Sequence, residues 1–150
     1  DQRLRCDVYE RALYVRLVFG RDDEVAAWTS QHLGMAIHPP YTAIGVEDEE
    51  GTPKGGVIFN DWNGSNLEIT ICGPGAMKRG IIRAVFHYAF IQAGANRLTA
   101  KTKRSNKLMC KMLPKFGFVF EAALKRYYGV QRENDALVFR LDPATALKWM

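Results

Sequence analysis

The sequence predicts an α+β domain with a mixed, mostly antiparallel sheet of about six or seven strands flanked by helices. Three observations carry this. Residues 41–72 hold three apolar segments parted by Gly-Thr-Pro and Asn-Gly turns, the pattern of an antiparallel meander. Residues 76–93 switch to helical spacing, with apolar side chains at 81, 85, 89 and at 82, 86, 90. Beyond them strand and helix alternate before two final strands, which makes the sheet mixed.

In chain order, Ala12–Phe19 alternates loosely and is rich in Val and Leu, as a first strand is. Asp22 and Asp23 are placed to cap a helix running to Leu33, with acids where the dipole favours them. His38-Pro39-Pro40 breaks the chain, and Tyr41–Val46, Gly55–Trp62 and Leu67–Cys72 are the meander strands. Gly94 follows the long helix as its C′ residue. Arg97–Ala100 begins a strand. Ser105 or Asn106 caps the next helix, whose inner face is Leu108, Met109, Met112 and Leu113, with Pro114 near its end. Phe118–Tyr128 and Ala136–Leu141 are the last strands, and Pro143 opens a short terminal helix. Residues 1–150 read as one domain, with 1–11 an irregular leader.

Of the 150 residues, 47% are hydrophobic and 25% charged, proportions that exclude a disordered chain. The cysteines, Cys6, Cys72 and Cys110, are odd in number and far apart. That argues against a disulfide framework, and the lack of a His/Cys cluster argues against a metal site. No apolar run reaches membrane-spanning length and no signal-peptide core opens the chain, so the expectation is a cytoplasmic protein without a membrane partner. The net charge of +5 is uneven. Residues 1–75 hold 6 Lys/Arg against 12 Asp/Glu, and residues 76–150 hold 15 against 4. A basic half suits a polyanionic partner, either a nucleotide cofactor or nucleic acid. It also suits two solvated helices.

The junction Gly73-Pro74-Gly75-Ala76-Met77-Lys78-Arg79-Gly80 leads from a strand into a helix. Backbone N–H groups and the helix dipole converge at such a junction, as phosphate oxygens require, and Lys78 and Arg79 add full charges. The segment is neither a Walker loop nor GxGxxG.

The next segment, RLTAKTKRSNKLMCKMLPKFGFVFEAALKR, resembles the GNAT superfamily of acyl-CoA-dependent N-acyltransferases. The resemblance rests on Arg97, Leu98, Asn106, Lys115, Phe116, Gly117, Phe118, Glu121, Arg126 and Asp135, and spans residues 40–141. It looks closest to the branch holding ribosomal-protein alanine acetyltransferases and bacterial and phage relatives. It implies a three-layer GNAT-like fold and acetyl-CoA as the cofactor. The pyrophosphate would lie on the amides of Gly75, Ala76, Met77, Lys78, Arg79 and Gly80. The backbone at Ile71 and Cys72 would pair with the pantetheine arm. Asn106 would contact the cofactor or its thiol, cap its helix, or both. The family often places a Tyr acid where this chain has Leu113, which leaves Tyr127 or Tyr128 to protonate the departing thiolate.

Acyl transfer needs a neutral amine. An α-amino group near pKa 7.7–8.0 loses about 1 kcal/mol to protonation at pH 7, a lysine-type amine near 10.4 about 4.6. Glu68, Asp61 and His38 are the candidate bases. Glu68 stands first, because the family often has a carboxylate on this strand and because alternation puts it on the face of Thr70 and Cys72. Catalysis is thus expected from Glu68 and Tyr128. The acceptor would be an amine-bearing small molecule or a protein amine, and the protein a monomer or a homodimer. A Mom-like enzyme that modifies DNA bases and a non-catalytic CoA-binding module remain open beside this reading.

Overall fold

The structure is a computed structural model describing residues 14–150. Its strands are β1 (Arg16–Val18), β2 (Tyr41–Glu47), β3 (Pro53–Asn60), β4 (Asn66–Cys72), β5 (Arg97–Lys103), β6 (Val119–Leu124) and β7 (Ala136–Leu141). The α-helices among the described residues are α1 (Asp22–Leu33), α2 (Arg79–His87), α3 (Lys107–Phe116) and α4 (Pro143–Ala146). A 3-10 turn, Pro74–Met77, precedes α2, and a π-helical turn, Tyr88–Gln92, follows it. The strands form one sheet in the order β1-β2-β3-β4-β5-β7-β6. β4 and β5 run parallel, with Glu68 opposite Thr99. The β1–β2, β5–β7 and β6–β7 pairs are antiparallel. This is the expected α+β class. The expected leader and Cys6 lie outside the described residues.

The chain packs as two compact units, one comprising residues up to Ile58 with Ile71–Ile81, the other Phe59–Thr70 with Ile82–Met150. In the first, Ala26 of α1 packs on Ala43 and Ile58, with Val25, Ile37 and Tyr41 against them. Asp22 and Asp23 do not cap α1. Arg21 occupies that position without a side-chain bond, and the acids fill the first turn. Asp23 instead accepts from the Tyr41 hydroxyl at 2.6 Å. The β2–β3 turn centres on Asp48, whose carboxylate accepts from the amides of Glu50 and Thr52, both at 2.9 Å. Strand β3 starts at Pro53, and Asp61, at φ 53°, ends it before Trp62.

In the second unit Ile82, Val85, Phe86 and Ala89 are fully buried, as the helical spacing requires. Phe86 meets Phe90, Phe118 and Trp149 in tilted or edge contacts. The predicted helix over 76–93 is three pieces rather than one. Lys78 is extended, at φ −71° and ψ 143°, so α2 starts only at Arg79. On α3, Met109 and Leu113 are buried, but Leu108 is 57% exposed and does not belong to the inner face. Pro114 sits on the exposed side, so the helix continues to Phe116 and closes at Gly117, φ 105°.

Strand β6 ends at Leu124, four residues short of the expected Tyr128. Arg126 turns the chain at φ 61°, and its amide donates to Asp135 Oδ1 at 3.0 Å. Arg104 also pairs with Asp135, at 3.4 Å. The Arg126 amide, then the Arg104 guanidinium, hold this carboxyl below its ordinary range. A depressed folded-state pKa adds stability above the unfolded value and loses it as pH falls through the folded one. Asp135→Asn is therefore expected to lower Tm at neutral pH. The gap to the parent should close as pH falls below the carboxylate range. A gap independent of pH in melting curves would refute this.

Candidate active site

The proposed phosphate-binding segment lies in the first unit. Gly73, at φ 86° and ψ 152°, occupies a region that only glycine enters freely. Pro74 fixes the next φ, and the turn closes through the Ala76 amide donating to the Gly73 carbonyl at 3.2 Å. Ala76 is completely buried. Its N–H is engaged inside the turn.

The glycines here differ in purpose. A Cβ on Gly73 would stand 2.6 Å from the Lys54 carbonyl oxygen, and one on Gly75 2.8 Å from Lys54 Cβ. These two let the turn lie flat on β3. Around Gly80 nothing among the described residues stands within 4 Å of a Cβ position. The first turn of α2 is open there, and it holds no acidic residue. A helix leaves its first amides without intrahelical partners, so this is where an anion fits. Lys78 is half-buried at the junction and Arg79 exposed. A first helical turn without acidic residues, beside Lys78 and Arg79, suits a diphosphate.

Ile71 and Cys72 end β4 and are both buried. Burial pushes the Cys72 thiol up, which keeps it protonated and disfavours it as a nucleophile. His38 is exposed beside Pro39 in this same unit.

The catalytic candidates Glu68 and Tyr128 both lie in the second unit, linked through Lys101 and Tyr127. On β4, Leu67, Ile69 and Ile71 are buried, while Glu68 and Thr70 are half-buried on the opposite face. Glu68 Oε1 lies 2.6 Å from Lys101 Nζ on β5, with the side chains 20% and 25% exposed. Burial raises the Glu68 carboxyl above its ordinary range. The Lys101 ammonium opposes this and a hydrogen bond with Asp61 supports it, and the net direction is upward. Lys101 Nζ also stands 5.4 Å from the Tyr127 ring centroid, and Lys103 Nζ 5.7 Å from that of Tyr128. The two tyrosine rings meet edge to face at 4.8 Å.

Tyr128 is in the turn after β6, not on a strand. Its amide donates to the Asn134 carbonyl at 3.0 Å. Burial first, then Tyr127, lift its hydroxyl above the ordinary phenol range; Lys101 opposes and Glu68 supports that shift. The phenol therefore keeps its proton at neutral pH. Asn106 is the N-cap of α3, its Oδ1 accepting from the Met109 amide at 3.2 Å.

Sequence reasoning placed Lys101 in a basic stretch suited to CoA phosphates or nucleic acid and did not pair it with Glu68; alternation on β5 aims it at the face that carries Glu68 on the neighbouring strand. It also left Arg97 and Glu121 without roles. They form an ion pair at 2.5 Å, and Glu121 reaches Arg140 as well, at 3.1 Å. Among the described residues no group of three or more His, Cys, Asp or Glu could hold a metal ion, and no helix is long and apolar enough to cross a membrane.

No family model and no curated protein sequence matches the chain. Solved structures do. The spermidine N-acetyltransferase from Vibrio cholerae, crystallised with CoA and spermine, is 14% identical and aligns over 89% of this chain and 98% of its own, with a TM-score of 0.69. A mutant form of the Vibrio cholerae spermidine/spermine N-acetyltransferase SpeG gives 13%, 90%, 98% and 0.71. The yncA protein from Salmonella typhimurium, crystallised with its cofactor acetyl-CoA, gives 16%, 87%, 94% and 0.65. With its parallel β4–β5 pair and the turn that leads from β4 into α2, the chain has the fold of the GNAT acetyltransferases.

Proposed function

We propose that the protein is an acetyl-CoA-dependent N-acetyltransferase that moves the acyl group directly from thioester to amine. The supporting observation is Glu68, a half-buried carboxyl held above its ordinary range. It lies on the same strand that leads into the cationic turn before α2. Solved proteins of this fold were crystallised with CoA and with acetyl-CoA.

Met77, Lys78, Arg79 and Gly80, with the amides of α2's first turn, hold the diphosphate; the Gly75 amide joins them. Ile71 and Cys72 offer backbone groups to the pantetheine arm. Acetyl-CoA, when bound, supplies an activated acetyl thioester. Glu68 accepts the proton that the acceptor nitrogen loses as the new N–C bond forms. Tyr128 donates a proton to the sulfur that leaves. Beyond its capping oxygen, Asn106 offers side-chain N–H donors to the cofactor. The acceptor is a small amine or a protein amine.

Thermal shift with CoA and acetyl-CoA, then thiol release against an amine panel, tests this. At about a hundredfold excess over Kd, CoA should stabilise the protein by about 2.7 kcal/mol. Gly80→Val places a branched side chain in the first turn of α2. It is expected to remove most of that shift while Tm without ligand changes little. An undiminished shift would refute the loop assignment. CoA uptake without thiol release for any amine would favour a binding module.

A further inference from the structure

A carboxylate beside an aromatic face is a receptor for an ammonium group, and this protein has already filled its own. Lys101 Nζ lies 2.6 Å from Glu68 Oε1 and 5.4 Å from the Tyr127 ring centroid. Two residues along β5, Lys103 covers the second ring, Tyr128, at 5.7 Å. Side chains at i and i+2 of a strand share a face, so both ammonium groups come from one side of β5. Among the described residues the charges that act on Glu68 are Lys101 and Asp61, and each tyrosine ring has a lysine ammonium over it.

We propose that Lys101 is a specificity-determining residue, which by occupying the ammonium position between Glu68 and Tyr127 turns the site away from polycationic acceptors and toward amines of low basicity. This rests on the acetyltransferase reading above. A polyamine would have to displace Lys101 from Glu68 and approach Lys103, meeting like charges in a half-buried place. An amine with a pKa near 8 is about one-tenth neutral at pH 7, against a few parts in ten thousand for one near 10.4, and its neutral form needs no counter-ion. Lys101 does not react in this scheme. It shapes which amine reaches Glu68.

The experiment compares kcat/KM for glycinamide and spermidine in the parent, Lys101→Met and Lys101→Arg. The parent should prefer glycinamide by about tenfold or more. Lys101→Met should shift the ratio toward spermidine by about tenfold, even as kcat falls for both because Glu68 loses its counter-ion. Lys101→Arg keeps the charge and should keep the preference. A parent that uses spermidine as well as glycinamide overturns the proposal whether or not Lys101→Met folds. So does an unchanged ratio in a folded Lys101→Met. Glycinamide-dependent thiol release with either of these results leaves the acetyltransferase reading standing. No thiol release with any amine and no CoA-induced shift would refute that reading, and this proposal with it.

Discussion

Glu68→Gln is expected to lower kcat about a hundredfold or more while the CoA-induced thermal shift stays at the parent value. The amide keeps the size of the side chain and an oxygen for the Lys101 ammonium, but it cannot accept a proton. The pH profile makes the test specific. Burial and the Asp61 carboxyl outweigh the Lys101 ammonium and hold the Glu68 carboxyl above its ordinary range. A base works deprotonated, so the parent rate should fall as pH drops through that raised value. Its acid limb should then lie at higher pH than an unperturbed glutamate would give. The residual rate of Glu68→Gln should lack this limb. Equal rates in the two proteins from neutral to alkaline pH would remove Glu68 from the mechanism.

Gly73→Ala carries the largest expected loss of stability, about 3 kcal/mol, or roughly 10 °C in Tm for a chain of this size. Two causes add. The φ of 86° with ψ of 152° is strained for any residue with a side chain, and the new methyl would stand 2.6 Å from the Lys54 carbonyl oxygen and 2.9 Å from Gly55 Cα. Backbone atoms of a sheet strand yield little. Gly80→Ala is the control, because it adds the same methyl to a helical position with nothing among the described residues within 4 Å. It should leave stability equal or raise it by about 0.5–1 kcal/mol. Melting curves that place both variants within a degree or two of the parent would refute this division of labour.

The fold was legible because its cues are local and repetitive. Alternation marks Leu67, Ile69 and Ile71, and helical spacing marks Ile82, Val85, Phe86 and Ala89; burial follows both patterns. Boundaries were legible only where one residue dictates them. Gly94, at φ 73°, was, and the cap of α3 was narrowed to Ser105 or Asn106, of which Asn106 holds it. The end of β6 was not, because the turn at Arg126 is held by Asp135, nine residues on. The site divides in the same way. Glu68 and the glycine-rich turn announce themselves by residue type. The partner of Glu68 does not, since Lys101 sits 33 positions away among other basic residues and meets it only through strand pairing. The Ala76–Gly73 bond was not legible either, because what a donor already bonds is not revealed by residue type.

The turn before α2 is closed by its own Ala76–Gly73 hydrogen bond and wedged on the backbone of Lys54. Its conformation thus exists before any guest arrives. A ligand that docks on it forfeits little disorder in the protein, so the loss of freedom on binding falls almost wholly on the ligand's own rotatable bonds.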